Sequence, residues 1–303
     1  MSDVQPYRLF NVALARKTRL SPHLTRLTFA GEEVAAMKTG GPDQRIKIFF
    51  PNEAGEPSAL PDRPDWYSIY REVEPKLRAP MRTYTIRHLR AEQQEVDVDF
   101  VLHGETGPAS RWALHATPGD RVQMAAPNAL YQGAPSGCEW NPPADLERLL
   151  LIADETALPA VAGILDELAR LPKPPRTEAH LEIPYTDDRI PLTSWPELDI
   201  HWLPREGASA GTMMMAAIRR TWLPELALAG AAPTEAATAF AEVDIDEQIL
   251  WDRAAPRSSG FYAWVAGETA AVADIRKFLI KERQLDKSNL ALMGYWREGK
   301  VRE

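Results

Sequence analysis

Along the first 130 residues, apolar and polar positions alternate with a period of two. LTRLTFA (24–30), QRIKIFF (44–50), RTYTIRHL (82–89), EVDVDFVLH (95–103) and DRVQMAAP (120–127) are rich in β-branched and aromatic residues and are separated by Gly and Pro. Strands at that spacing predict an antiparallel sandwich or barrel. Beyond SGCEWNPPADLE the pattern changes. ERLLLIAD (147–154) is an apolar strand that leads directly into ETALPAVAGILDELARL, whose apolar residues recur at helical spacing. FYAWVAGE (261–268) followed by TAAVADIRKFLIKER repeats the arrangement, and NLALMGYW closes with another strand. Strands alternating with helices mean parallel βαβ units. The stretch 205–257 is Ala-rich and reads as mostly helical. The expectation is an all-β domain over 1–140, a linker near 135–147, and a parallel-sheet α/β domain over 141–303.

Length and composition agree with two soluble domains: 303 residues, 45% hydrophobic and 26% charged. The formal charge of −8 argues against a nucleic-acid surface or a polybasic membrane patch. That charge is uneven. Residues 1–140 carry 17 Lys+Arg and 17 Asp+Glu, leaving 18 and 26 for the remainder, so an anionic ligand prefers the first half. A single cysteine, Cys138, excludes an intrachain disulfide and a Cys-rich metal cluster. The N-terminus lacks a signal pattern and no segment approaches the roughly 20 apolar residues of a membrane span, which reads as cytoplasmic.

Within MRTYTIR (81–87), strand geometry turns Arg82, Tyr84 and Ile86 one way and Thr83, Thr85 and Arg87 the other. A ligand with anionic and aromatic parts would suit the first face; an exposed strand with solvated arginines is the alternative. VDVDFVLHGETGPASRWALHA (96–116) leaves a strand through His103 and Gly104, then passes Gly107, Pro108, Ala109 and Ser110 into a helix. Pro fits the first turn, Ser can cap, and free N–H groups there can hold a phosphate. IADETALPA (152–160) sits where a parallel strand meets its helix, the ligand-binding position of open α/β sheets. It has no GxGxxG, and Asp154 and Glu155 would repel a pyrophosphate, so this turn suits ribose, nicotinamide or a flavin edge, with Thr156 as cap or hydrogen-bond partner.

Other chemistries find little support. The six histidines (His23, His88, His103, His115, His180, His201) show no metal-ligand spacing, and GxSxG, Walker A and HExxH are absent. The pairs Asp97/Asp99 and Asp187/Asp188 read as solvated faces or turns.

Five motifs, in order, resemble the bacterial siderophore-interacting proteins, flavin-dependent ferric-siderophore reductases of the ferredoxin–NADP reductase superfamily. They are RTYTIR (82–87), DFVLHGETGPASRWA (99–113), ADETALPA (153–160), LEIPYTDDRIPL (181–192) and the segment from Tyr262 to Gly299. The resemblance implies a six-stranded antiparallel barrel holding FAD and a C-terminal NAD(P)-binding-like α/β domain. It implies that Arg82 meets the flavin phosphates and that Tyr84 and Thr85 line the isoalloxazine and ribityl chain. Arg87, His103, Gly107, Ala109 and Ser110 complete that site, and Trp296 packs over the flavin, a core Trp closing the last strand being the alternative. Val265-Ala266-Gly267-Glu268 stands where plant-type reductases carry a Cys-Gly-Pro-like turn, and Ala153-Asp154-Glu155-Thr156 replaces the family's usual Gly-Asp-Glu-Thr.

The implied reaction is reduction of a ferric siderophore, releasing Fe(II), with NADPH or NADH giving a hydride to FAD and FAD giving single electrons to iron. Such chemistry asks for an open basic pocket, not an acid–base pair. In QRIKIFF, Ile46, Ile48 and Phe50 face the core and Lys47 points outward, so Lys47 is the first candidate for the anionic siderophore and Arg297 the second. The competing reading is an FAD-containing siderophore-binding protein, or one fed by ferredoxin, that uses no nicotinamide.

Overall fold

The computed structural model describes residues 4–102, 104–105, 107–134, 136–223, 243, 245, 248–255 and 260–300. The chain forms two compact units, 1–138 and 139–302.

The first unit holds a seven-stranded sheet. Its strands are β1 (Tyr7–Arg19), β2 (Leu24–Ala30), β3 (Arg45–Phe49), β4 (Met81–Thr85), β5 (His88–Arg90), β6 (Glu95–Val101) and β7 (Arg121–Pro127). They run in the order β4-β3-β7-β1-β2-β6-β5, every neighbouring pair antiparallel. Strand β1 is not among the strands that alternation predicts; its Phe10, Val12 and Leu14 enter the main core while Leu9, on the other face, joins a second cluster with Phe49 and Tyr70.

The segment 82–89 was expected to be one of six strands. Instead it divides at Ile86–Arg87, which gives seven. The Ile86 N–H donates to the Gln44 carbonyl and the next N–H, of Arg87, donates to that of Asp97, both at 2.9 Å. Thus β4 pairs with β3 at one edge of the sheet and β5 with β6 at the other, and two residues of chain join the edges of a strongly curled sheet. Inside, Ile46, Ile48, Phe50, Phe29 and Phe100 are almost wholly buried. Each such side chain contributes about 1.5–3 kcal/mol. Helix α1 (Trp66–Glu72) sets Tyr70 and Trp66 against Phe49 on the outer cluster, and α2 (Pro108–His115) lays Ala109, Trp112 and Ala113 against the main core.

The second unit contains β8 (Arg148–Ala153), α3 (Leu158–Leu168), β9 (Arg176–Ile183), β10 (Leu198–Pro204), α4 (Thr212–Ile218), β11 (Trp251–Asp252), β12 (Phe261–Glu268), α5 (Thr269–Lys277) and β13 (Leu290–Trp296). The sheet order is β10-β9-β8-β12-β13-β11. The central strands are parallel and buried on both faces, which is why LLLIA and FYAWVAGE read as unbroken apolar runs. The sheet is mixed, not wholly parallel: the two-residue β11 runs antiparallel to β13, with Trp251 stacked on Tyr295 at 5.8 Å. In the stretch expected to be mostly helical, α4 is the described helix, and residues 224–242 lie outside the described residues. Among the described residues no helix is long and apolar enough to cross a membrane.

Candidate cofactor and donor sites

In the first unit the break between β4 and β5 gathers the cationic and aromatic side chains that the sequence singled out. The Tyr84 ring lies on Phe100 with centroids 4.1 Å apart and meets Phe50 at 6.2 Å. Burial raises its phenol above the ordinary value, against a smaller lowering by Arg82. Arg82 stays half-buried and donates through Nη1 to the carbonyl of Met81 at 2.8 Å. Thr85 is buried, and Arg87 Nη1 stands 2.8 Å from His88 Nε2.

Behind this face is an ion-pair network. Arg90 forks onto Asp97 with two bonds of 2.7 Å, Thr28 donates to Asp97 at 2.7 Å, and Arg26 grips Asp99 at 2.7 and 2.8 Å. Asp97 and Asp99 are each 4% exposed, so their expected place on a solvated face is corrected. The alternation VDVDF hides this because two arginines on neighbouring strands supply the countercharge. Burial pushes the Asp97 carboxyl up, but hydrogen bonds from Arg90, His88 and Thr28 hold it below the usual carboxylate range.

Helix α2 begins at Pro108 with Gly107 as its N-cap, and no side chain caps it; Ser110 lies inside the first turn. A Cβ at Gly104 or Gly107 would meet no atom within 4 Å, and Gly104 has φ +66°, a conformation few other residues take. Trp112 of the same helix packs on Phe50 at 5.5 Å, so Tyr84 and the start of α2 share one aromatic cluster. His103 lies outside the described residues. Two guanidiniums, an aromatic cluster and an uncapped, glycine-flanked helix start fit a ligand that joins phosphates to a flat ring system, as FAD does. On β3, Lys47 faces away from the core and donates to Thr83 Oγ1 at 2.7 Å; burial, then Arg45, lowers its ammonium below the ordinary value.

In the second unit three strand ends meet at one carboxylate. Asp154, 1% exposed, accepts from Thr156 N at 2.9 Å, Thr156 Oγ1 at 2.5 Å, Glu268 N at 2.7 Å and Trp296 Nε1 at 2.7 Å. Thr156 and Trp296, 140 positions apart in sequence, are thereby brought together. Thr156 does not cap α3, whose N-cap is Ala157. Burial and the neighbouring Glu155 raise Asp154, partly offset by Thr156 and Trp296, and the carboxyl is pushed up to about 7. A Cβ at Gly267 would lie 2.6 Å from Asp154 Oδ2, so only glycine admits the carboxylate there.

Glu155 pairs with Arg205 through two contacts of 2.6 Å, and Arg205 reaches Glu182 at 3.3 Å. The fully buried Glu182 accepts from the N–H groups of Gly211, Met213 and Met214 and so closes the start of α4. Glu268 likewise caps α5, accepting from Ala271 N at 2.9 Å. Sequence reasoning missed Glu182 and Arg205; an acid inside the apolar run HLEIP was the available signal. A cleft of about 340 Å³ opens at the ends of β12 and β13, lined by Gly211, Thr212, Met215, Glu268, Asp274 and Arg297. Arg297 also donates to the carbonyl of Ile245. Lys47 and Arg297 therefore belong to different units.

A curled antiparallel sheet followed in the chain by a helix-flanked, mostly parallel sheet is the two-domain fold of the ferredoxin–NADP reductases. The chain belongs to the siderophore-interacting protein family: residues 13–131 match its siderophore-interacting FAD-binding domain and residues 146–299 the siderophore-interacting protein domain. Ferric vibriobactin reductase ViuB of Vibrio cholerae is 29% identical over 291 residues, covering 95% of this chain and 89% of ViuB. An Escherichia coli NADPH-dependent ferric-chelate reductase is 28% identical over 203 residues, 65% of this chain and 71% of that one. The crystal structure of a siderophore utilization protein from T. fusca superposes with a TM-score of 0.73 at 25% identity, covering 99% and 96% of the two chains.

Proposed function

We propose that this chain is a cytoplasmic oxidoreductase that reduces ferric siderophores and releases Fe(II), with FAD held by the first unit and NADPH or NADH delivering electrons at the second. The observation that carries the reading is that Tyr84 shares an aromatic cluster with Trp112 of α2, with Arg82 and Arg87 close by in sequence on β4 and at its turn into β5, in a chain of this family. Bound FAD supplies the conversion of a two-electron hydride donor into single electrons for iron. The protein's part is positioning. Arg82 and Arg87 offset phosphate charge, Tyr84 and Thr85 orient the ring and ribityl chain, and Gly107, Ala109 and Ser110, with His103, present backbone and small side chains to the pyrophosphate. Lys47 draws the anionic ferric chelate to the first unit.

For the donor, the cleft beside Glu268 lies at the carboxyl ends of the strands, where open α/β sheets bind ligands. Thr156 and Trp296, locked to Asp154, form a rigid wall for nicotinamide or ribose. One observation favours a second reading, in which ferredoxin feeds the flavin or the chain only binds its ligands. Glu182 takes three N–H groups at the start of α4 and Glu268 takes Ala271 N at the start of α5, so each helix start already holds a carboxylate that would repel a pyrophosphate.

The experiment is an anaerobic visible spectrum of the FAD-loaded protein with NADPH, then NADH, then a ferric siderophore, with a ferrous chelator present. Bleaching by a nicotinamide, followed by recovery with one ferrous complex per electron, is the expected result. A flavin that stays oxidised with both nicotinamides but is reduced by ferredoxin would overturn the nicotinamide assignment.

A further inference from the structure

At the edge of the second unit's sheet, on β9 and β10, two histidines and a carboxylate converge. Glu178 and His180 are two apart on β9 and so share a face, and His201 on the edge strand β10 is the direct register partner of His180. One potential ligand atom from each of the three lies within 4.8 Å of the others. Glu178 Oε1 is 2.9 Å from His180 Nε2 and 3.8 Å from His201 Nε2. Zinc–nitrogen and zinc–oxygen bonds of roughly 2.0–2.2 Å place tetrahedral ligand atoms roughly 3.3–3.6 Å apart. The two separations from Glu178 fall either side of that spacing and the third lies within 4.8 Å, so a rotamer adjustment, chiefly at the half-exposed His201, closes the triad on an ion.

The surroundings suit ligation. The His180 side chain is 6% exposed and fixed, whereas that of His201 is 49% exposed and can swing in from solvent, which leaves an open side for water. Thr221 sets Oγ1 2.7 Å from His180 Nε2 and 3.3 Å from Glu178 Oε1, a hydroxyl beside the fourth position. Without an ion, His180 Nε2 donates to Glu178 Oε1; its buried Nδ1 has no hydrogen-bond partner and can carry the ring proton when Nε2 turns to a metal.

We propose that Glu178, His180 and His201 form a binding site for one divalent first-row transition metal ion. Two neutral imidazoles and one carboxylate are the donor set of zinc(II) or iron(II), not of calcium or magnesium. The ion would cross-link the edge strand β10 to β9. The site rests on strand register and donor chemistry alone and is independent of the siderophore reading.

The test uses the untagged full-length chain, stripped with chelator, titrated with Co(II) and followed by its visible d–d bands, then challenged with Zn(II) and, anaerobically, with Fe(II). The expected result is one equivalent of Co(II), displaced by Zn(II), Fe(II) or both according to which ion the site takes. Because His201 is half exposed, His201→Ala should fold normally, and losing a direct ligand should weaken Co(II) binding by about 100-fold, at least the loss seen when ligand-supporting residues are changed. Glu178→Gln should show the same loss with unchanged circular dichroism. Zn(II) should raise the melting temperature of wild type but of neither variant. Absence of stoichiometric Co(II) binding by wild type, or equal binding by His201→Ala, would overturn the proposal.

Discussion

Trp296 donates its indole N–H to Asp154 Oδ2 at 2.7 Å, tying the last strand of the chain to a carboxylate 142 positions earlier. Because the same carboxylate takes the Glu268 N–H, the ends of β8, β12 and β13 are fixed by one buried acid. Of its four donors, three are N–H groups that cannot reverse. Only the Thr156 hydroxyl, 2.5 Å away, can turn from donor to acceptor, so a proton arriving at the site resides between Asp154 Oδ1 and Thr156 Oγ1.

This arrangement predicts a titration. Asp154 is raised from 3.8 to about 7. A carboxyl raised on folding contributes stability that is fully present below about pH 4 and lost as pH rises through about 7. The Trp296 indole resonance should therefore move with a midpoint near pH 7, and Thr156→Val should raise that midpoint by removing a hydrogen bond that favours the ionised carboxylate. A resonance invariant from pH 5 to 9 would show that the four donors keep Asp154 ionised throughout.

A second prediction concerns Glu182. Replacing it by alanine strips three backbone N–H groups and Arg205 of an acceptor in a fully buried position. Breaking such a buried charge network costs about 3–5 kcal/mol. Denaturant unfolding should show that loss in Glu182→Ala and a smaller one in Glu182→Gln, which keeps one acceptor oxygen. A loss under about 1 kcal/mol in the alanine variant would mean that water or another group serves the start of α4.

What the sequence made legible follows from where the signal is local. The apolar runs LLLIA and FYAWVAGE identified buried parallel strands, and Gly107-Pro108 marked the start of α2 within a residue. Relationships set by strand register stayed hidden. His180 and His201 are 21 positions apart with no motif between them, and parallel pairing alone puts them side by side. Asp97 looked solvent-facing because its partners Arg90 and Thr28 lie on two other strands. The division of RTYTIRHL into two strands was equally invisible, since nothing in its alternation records that successive N–H groups serve opposite edges of the sheet.

The arginine-paired acids Glu95 and Asp97 predict the first unit's behaviour in acid. The hydrogen bond from Arg16 outweighs desolvation and, with a further one from Arg90, holds Glu95 down to about 2, and Asp97 is held low by Arg90, His88 and Thr28 against its burial. Carboxyls depressed on folding give stability that is present above their unfolded values and lost as pH falls through the folded ones. Stability should fall as pH drops from about 4.5 towards 2, with a steep dependence that Arg90→Ala flattens while costing about 3 kcal/mol at neutral pH. An unchanged acid limb in the variant would remove the network from that role.

Finally, the two cationic positions flanking Thr83 separate cofactor binding from substrate capture. Arg82 and Lys47 lie on paired strands, Lys47 directly opposite Thr83. A charged hydrogen bond to phosphate is worth about 1.5–3 kcal/mol, so Arg82→Ala should weaken FAD binding about 10–100-fold, read by fluorescence titration, whatever siderophore is present. Lys47 acts on the chelate by charge. Lys47→Ala should leave FAD affinity and kcat near wild type and raise KM for an anionic ferric siderophore severalfold, most at low salt, where screening is weakest. A neutral iron chelate should not register the change. If Lys47→Ala instead releases FAD, the lysine belongs to the cofactor site, and the anionic substrate must be drawn in by other charges.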